Sequence, residues 1–232
     1  MERMMGFAAF YPFCRAMKPA NQRGKAMTAI PCSDTHQKFT TDIIRALILS
    51  KYINEWGQPE YRKILHTPKG VNVEIYFFPG KEVFRFSTVG LSSVIRQDGQ
   101  AINCEWMLAT SATTKRDRHQ IFDYICDLIA HFIENCRDNN IPRIMGESKL
   151  APKKWTAKGI LIDELLGEDE NLSPINIGRR QIYIRWLIPL RQKEIDFILK
   201  NGIEAFDMKV NESEISVIDP ERKNDIMPSA DH

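Results

Sequence analysis

From Phe39 onward, apolar residues recur every fourth position in two adjacent rows: Phe39, Ile43, Leu47 and Ile44, Ile48, Tyr52, Trp56. Two rows side by side make a wide apolar face. The spacing predicts a helix, with Thr40 or Thr41 available as its cap and Gly57 and Pro59 ending it. The period then falls to two. Within residues 71–78, Val71, Val73, Ile75 and Phe77 point one way and Asn72 and Glu74 the other, the alternation of a strand lying on a core. Pro79-Gly80 is a turn signal and Val83–Val89 reads as the returning strand. After the Gly90-Leu91-Ser92 corner and a polar loop, Ile102, Cys104, Trp106 and Leu108 mark a third strand. Three consecutive strands predict an antiparallel meander.

The clearest helical stripe follows: Ile121, Phe122, Ile125, Leu128, Ile129, Phe132 and Ile133, with Gln120, Asp123, Asp127, His131 and Glu134 opposite. Thr114 with Asp117 resembles a capping box, and Asn139-Asn140 suit the helix end. Short strands are expected at 159–162 and 175–177. A turn at Gly178 leads into a longer strand, 181–188, in which Ile182, Ile184, Trp186 and Ile188 share a face and which Pro189 is expected to stop. A helix carrying Ile195, Ile198 and Leu199 closes at Asn201-Gly202, and 216–218 is expected as a last strand. These elements make an α+β domain, an antiparallel or mixed sheet with flanking helices, spanning 27–220. Residues 221–232, polar and holding Pro228, read as a disordered tail.

Residues 1–26 differ from the rest. Met4 to Cys14 is an apolar run broken by Gly6 and Pro12, too short to span a bilayer and lacking the layout of a signal peptide. We read 1–26 as an extension outside the domain, with Met27 as an alternative start. These residues hold five basic side chains and one acid, so the formal net charge of +2 leaves a slightly acidic body. That is not the footprint of a nucleic-acid binder, and neither a membrane nor a nucleic acid is expected as partner. Five cysteines without CxxC spacing argue against a zinc site and a disulfide framework. Cys104, Cys126 and Cys136 fall in apolar patterns, as reduced core cysteines of a cytoplasmic protein do.

No GxGxxG, GxxxxGK[ST], HExxH, GxSxG or EF-hand loop is present. No catalytic, cofactor or metal site is expected on these grounds. His131 and Glu134 are helical neighbours, a pairing commonest on a solvated face. Asn171 and Asn211 begin glycosylation sequons, which carry no weight without a secretory signal. Two charged segments stand out. Asp163, Glu164, Glu168, Asp169 and Glu170 cluster just after Lys149, Lys153, Lys154 and Lys158, the lysines interleaved with Pro152 and Trp155. Such a pair is either a solvated loop or an interaction surface suited to a basic partner, because rim charges steer association.

Several blocks taken in order resemble the suppressor of fused (SUFU) domain family. They are Phe86-Ser87-Thr88-Val89-Gly90-Leu91-Ser92, Cys104-Glu105-Trp106-Met107-Leu108, and the helix 121–136. Then come Trp155 ahead of 159–166, the strand 182–190 leading into Glu194, and Val217-Ile218-Asp219-Pro220-Glu221-Arg222. Together they cover roughly residues 40–225. The resemblance implies an α+β sandwich-like domain with no catalytic centre and no cofactor, working by binding another protein. Eukaryotic members are two-lobed negative regulators in Hedgehog signalling that grip a peptide as an added strand. This chain looks closer to compact bacterial members, regarded as immunity proteins that neutralise polymorphic toxins. The toxin would be encoded by a neighbouring gene. The family's peptide lies near the loop after its Gly-Leu-Ser corner, which points here to Asp98 and Gly99. Glu105, on the adjoining strand, has a structural reading beside a binding one. Asp163, Glu164 and Glu168 complete the expected protein-binding set. A regulatory adaptor sequestering an endogenous protein is the alternative, and an enzyme with an unrecognised site a third reading.

Overall fold

The computed structural model describes residues 32–226, apart from 68–69, 97, 113–117, 137, 166, 214 and 224–225. The expected extension 1–26 and the Thr114–Asp117 capping box lie outside the described residues. The strands are β1 (Tyr61–His66), β2 (Asn72–Phe78), β3 (Val83–Val89), β4 (Cys104–Ser111), β5 (Arg143–Met145), β6 (Gly159–Glu164), β7 (Ile175–Ile177) and β8 (Arg180–Leu190). They form one mixed sheet in the order β1-β2-β3-β4-β8-β6-β5, with β7 paired to β8. All neighbours are antiparallel except β4 and β8, whose parallel register sets Trp106 beside Arg185. The chain is therefore two local antiparallel units joined at one parallel seam.

Both faces of the sheet are covered. On the first, helix α2 (Arg118–Asn135) lays its apolar stripe over Val73, Ile75 and Phe77 of β2, Phe84 and Phe86 of β3, and Trp106 and Leu108 of β4. On the second, α1 (Cys32–Trp56) sets Ile44, Ile48 and Tyr52 against Tyr76, Phe78, Val89, Met107 and Ile184. Beside it, α3 (Gln192–Asn201) and α4 (Ile203–Glu212) cover Leu161, Ile188 and Leu190. Central strands of a sheet covered on both faces are apolar on both, and β4 is buried from Cys104 to Thr110.

Several expectations are corrected. The first helix begins at Cys32, upstream of Thr40 and Thr41, so neither caps it. Only one of its two apolar rows meets the sheet; Phe39, Ile43 and Leu47 stay exposed. Pro189 does not stop β8, which runs to Leu190. Tyr183 N–H bonds Asn103 O on the β4 side. Alternation aims position 189 the same way, beyond the last β4 pair, Leu108–Leu187, so the missing proline N–H breaks no ladder bond. Residues 216–218 form a turn rather than a strand, closed by Asp219 N–H to Ser216 O. The segment expected to open a disordered tail instead buries Arg222 and Ile226.

Candidate functional site

The Gly-Leu-Ser corner after β3 is held by Glu105. Its carboxylate is fully buried and accepts from Gly90 N–H (2.9 Å), Leu91 N–H (3.1 Å), Ser92 N–H (3.0 Å) and Thr88 Oγ1 (2.6 Å). Three successive backbone donors converging on one carboxylate fix the turn as a backbone nest. Burial pushes the Glu105 pKa up, against the hydrogen bonds from Thr88, Ser92 and Gly90, which favour the ionised form. Gly90 has φ +102, and a Cβ there would meet Asn72 O at 2.8 Å, so the corner needs glycine. Of the two readings left open for Glu105, the geometry selects the structural one: no part of it reaches the surface.

The acidic segment does not form a single patch. Glu168 turns inward and accepts from Trp56 Nε1 (2.9 Å) and Arg85 Nε (2.6 Å), clamping the loop after β6 onto α1 and β3. Asp169 accepts from Asn171 N–H at 2.7 Å at the start of a short 3₁₀ turn, Glu170–Leu172. Asp163 is half-buried on the second face of the sheet. Burial raises its pKa, Glu164 N–H opposes this, and the charges of Asp207 and Glu164 add to it. Glu164, one residue on, belongs to the first face and is exposed. The lysine segment is pinned by Trp155, buried edge-to-face against Tyr124 at 5.6 Å.

Asp98 and Gly99 occupy the tip of the loop between β3 and β4. Asp98 accepts from Gln100 N–H (2.9 Å), and Gly99 sits at φ +83, so the pair makes a tight exposed turn. Asp98 also accepts from Arg96 (2.8 Å), whose buried guanidinium donates to Asn139 Oδ1 (2.8 Å). Asn139 in turn donates to Ile102 O at 2.7 Å. The loop tip is thus tied to the segment after α2.

Between these pieces lies a cavity of about 190 Å³. Trp106 and Phe132 form its base, edge-to-face at 5.1 Å, with Ile102 and Ile162 beside them and Asn139, Arg143, Tyr183 and Arg185 around the rim. β6 ends here, β4 and β8 begin here, and the β3–β4 loop returns here. Asp98, Gly99 and Glu164 therefore share one end of the sheet, whereas Asp163 and Glu168 belong to its other face. The rim residues Asn139, Arg143 and Arg185 were not among those expected. The one local signal was an arginine between Tyr183 and Leu187, on the strand face opposite Ile182, Ile184 and Ile188.

The family model for the suppressor of fused protein (SUFU) matches residues 69–223, about two thirds of the chain. The chain belongs to the SUFU family. Among solved structures it is similar to a SUFU homologue from Neisseria gonorrhoeae FA 1090, with a TM-score of 0.62 at 12% identity, covering 82% of this chain and 100% of that one. It is also similar to a crystal structure of the Sufu–Fu complex, with a TM-score of 0.52 at 9% identity, covering 73% of this chain and 83% of that one. No curated protein matches it. In this SUFU domain the blocks that carried the resemblance are cross-links between distant elements. The Gly-Leu-Ser corner meets Glu105. Glu194, after β8, forms a buried ion pair with Arg222 of the closing block, whose guanidinium also donates to Pro189 O at 2.9 Å.

Proposed function

We propose that this SUFU domain is a non-catalytic binding protein that neutralises a toxin by stoichiometric occlusion, using the end of the sheet where the Asp98 loop and Glu164 flank the cavity. One observation carries the reading. Of the acidic residues expected at an interface, Asp98 and Glu164 stay exposed at that end, while Glu105 and Glu168 are consumed by internal hydrogen bonds. The Sufu–Fu structure is of a complex between proteins, which supports a binding role for the shared fold. Exposed carboxylates around a cavity suit a partner with a basic surface, such as a toxin that acts on nucleic acid.

The test is a titration of toxin activity with purified protein, using the product of the adjacent toxin gene, alongside Asp98→Lys and Glu164→Lys. Wild type is expected to abolish activity near equimolar ratio. Each variant should weaken the complex by about 2–5 kcal/mol where the charge is buried against the partner, while exposed substitutions leave folding stability within about 0.5 kcal/mol. Full protection at a hundredth of the toxin concentration would sink the proposal, since only turnover works below stoichiometry. The absence of a toxin gene beside this one, with capture of an endogenous protein, would favour the adaptor instead.

A further inference from the structure

The cavity has a donor-rich, acceptor-poor character that a protein interface alone does not explain. Its base and walls are apolar: Trp106, Phe132, Ile102 and Ile162. Trp106 is almost fully buried, and the nearest acceptor to its indole Nε1 is the weak sulfur of Cys104, while Arg143 Nε has none. Buried donors without acceptors are uncommon, and each calls for a reason. The two arginines differ. Arg143 lies over the Phe132 ring at 5.9 Å and is neutralised by a direct hydrogen bond to Asp138. Arg185 lies over the Tyr183 ring at 4.7 Å, and no hydrogen bond to its guanidinium is present among the described residues. The one carboxylate within ion-pair distance of it among them is the exposed Glu164, at 3.9 Å, and Asp163 on the other face feels its charge from farther off. Its side chain is only 17% exposed, so water does little to solvate the charge. The Cys104 thiol in the wall is pushed up to about 12 by burial and contributes no negative charge.

We propose that the cavity is a binding site for an apolar ligand bearing a carboxylate, the apolar part resting on Trp106 and Phe132 and the carboxylate accepting from Arg185. A guanidinium presents a planar fork of donors that matches a carboxylate. The volume holds one large side chain or a small organic acid. The same chemistry comes from the last residue of a peptide or from a free acid of that size. The inference shares a location with the proposed function without depending on it: a chain that neutralises no toxin can still bind such an acid.

The probes are phenylpropionate, its primary amide, and Gly-Gly-Phe with a free or an amidated C-terminus. They are titrated into the full chain while the four tryptophan indole N–H signals are followed by NMR, with Trp106→Phe identifying the Trp106 signal. The expected result is a saturable shift of that signal, with each acid binding at least about tenfold tighter than its amide. Arg185→Met should weaken the acids at least about tenfold while the signals of Trp56, Trp155 and Trp186 keep their positions, which shows that the variant is folded. Tighter binding of the tripeptide acid assigns the site to peptide ends, and tighter binding of phenylpropionate assigns it to free acids. The proposal is overturned by no saturable shift up to about 10 mM, a range that reaches weak affinities. It is equally overturned by amides that bind like acids, or by an Arg185→Met protein that binds like wild type.

Discussion

Glu105 organises its surroundings through one side chain. Truncating it leaves the N–H groups of Gly90, Leu91 and Ser92 buried without their acceptor. Glu105→Ala is therefore expected to lower unfolding free energy by at least about 3 kcal/mol, as loss of several charge-assisted bonds does. Urea denaturation reads this directly, and an unchanged midpoint would refute the anchoring role. Its strand neighbour Trp106 lies under α2 on the face shared with Cys104 and Leu108, as the alternation predicted. Trp106→Ala should cost roughly 3–5 kcal/mol. Cys104 is buried with its thiol pushed up to about 12, so its reactive thiolate is scarce at pH 8. Alkylation of the folded protein at that pH should spare Cys104 and label it only after denaturation; labelling of the native state at the rate of a free thiol would contradict the burial. At this scale the sequence shows which strand a residue belongs to and says little about its partners. Glu105 could be read two ways because its acceptor role depends on a corner thirteen to fifteen residues away in the chain.

Among the elements, those with a strong period were legible and those without were not. β2, β3, β4, β8, α2 and α3 announce themselves through alternation or a stripe. β1 (Tyr-Arg-Lys-Ile-Leu-His) is a half-exposed edge strand, and β5 has three residues, so neither carries a period long enough to register. α4 follows α3 after a single glycine, and only Phe206 is deeply buried in it. The closing block around Arg222 was misread for a related reason: a polar sequence hides an ion pair. Arg222 bonds Glu194, and both are buried, so the closing block is stapled to the start of α3. Arg222→Ala should cost about 3–5 kcal/mol, because it strands a buried carboxylate. Adding Glu194→Leu to that variant should recover part of the loss. Circular dichroism melts of the single and double variants test both statements, and an Arg222→Ala protein as stable as wild type would return the segment to the status of a loose tail.

Across the whole molecule, Glu74 links three elements. Arg45 of α1 and Arg62 of β1 both reach its carboxylate on β2, and Tyr76 donates to it. Burial alone would raise its pKa. The hydrogen bonds from Tyr76 and Arg45 and the charges of Arg45 and Arg62 outweigh that and leave the pKa lowered. A lowered folded value means that the stabilisation is complete above the unfolded value of about 4.3 and is lost as pH falls through the folded one. Stability should therefore drop more steeply between neutral and acid pH in wild type than in Glu74→Gln, as followed by urea midpoints; parallel curves would remove Glu74 from the account. The sandwich of helices around the sheet was expected in outline, whereas the cavity was not, because it is built from loop ends whose meeting depends on strand order. That order has a consequence for synthesis. β4 leaves the ribosome after α1, which covers one of its faces, and shortly before α2, which covers the other, but its free edge waits for the parallel partner β8 about 75 residues later. At translation rates of roughly 5–20 residues per second, the central strand waits on the order of 4–15 s for its neighbour. A nascent chain stalled in that window presents a sticky, incomplete sheet, which makes the seam the step at which holdase chaperones would matter most to yield.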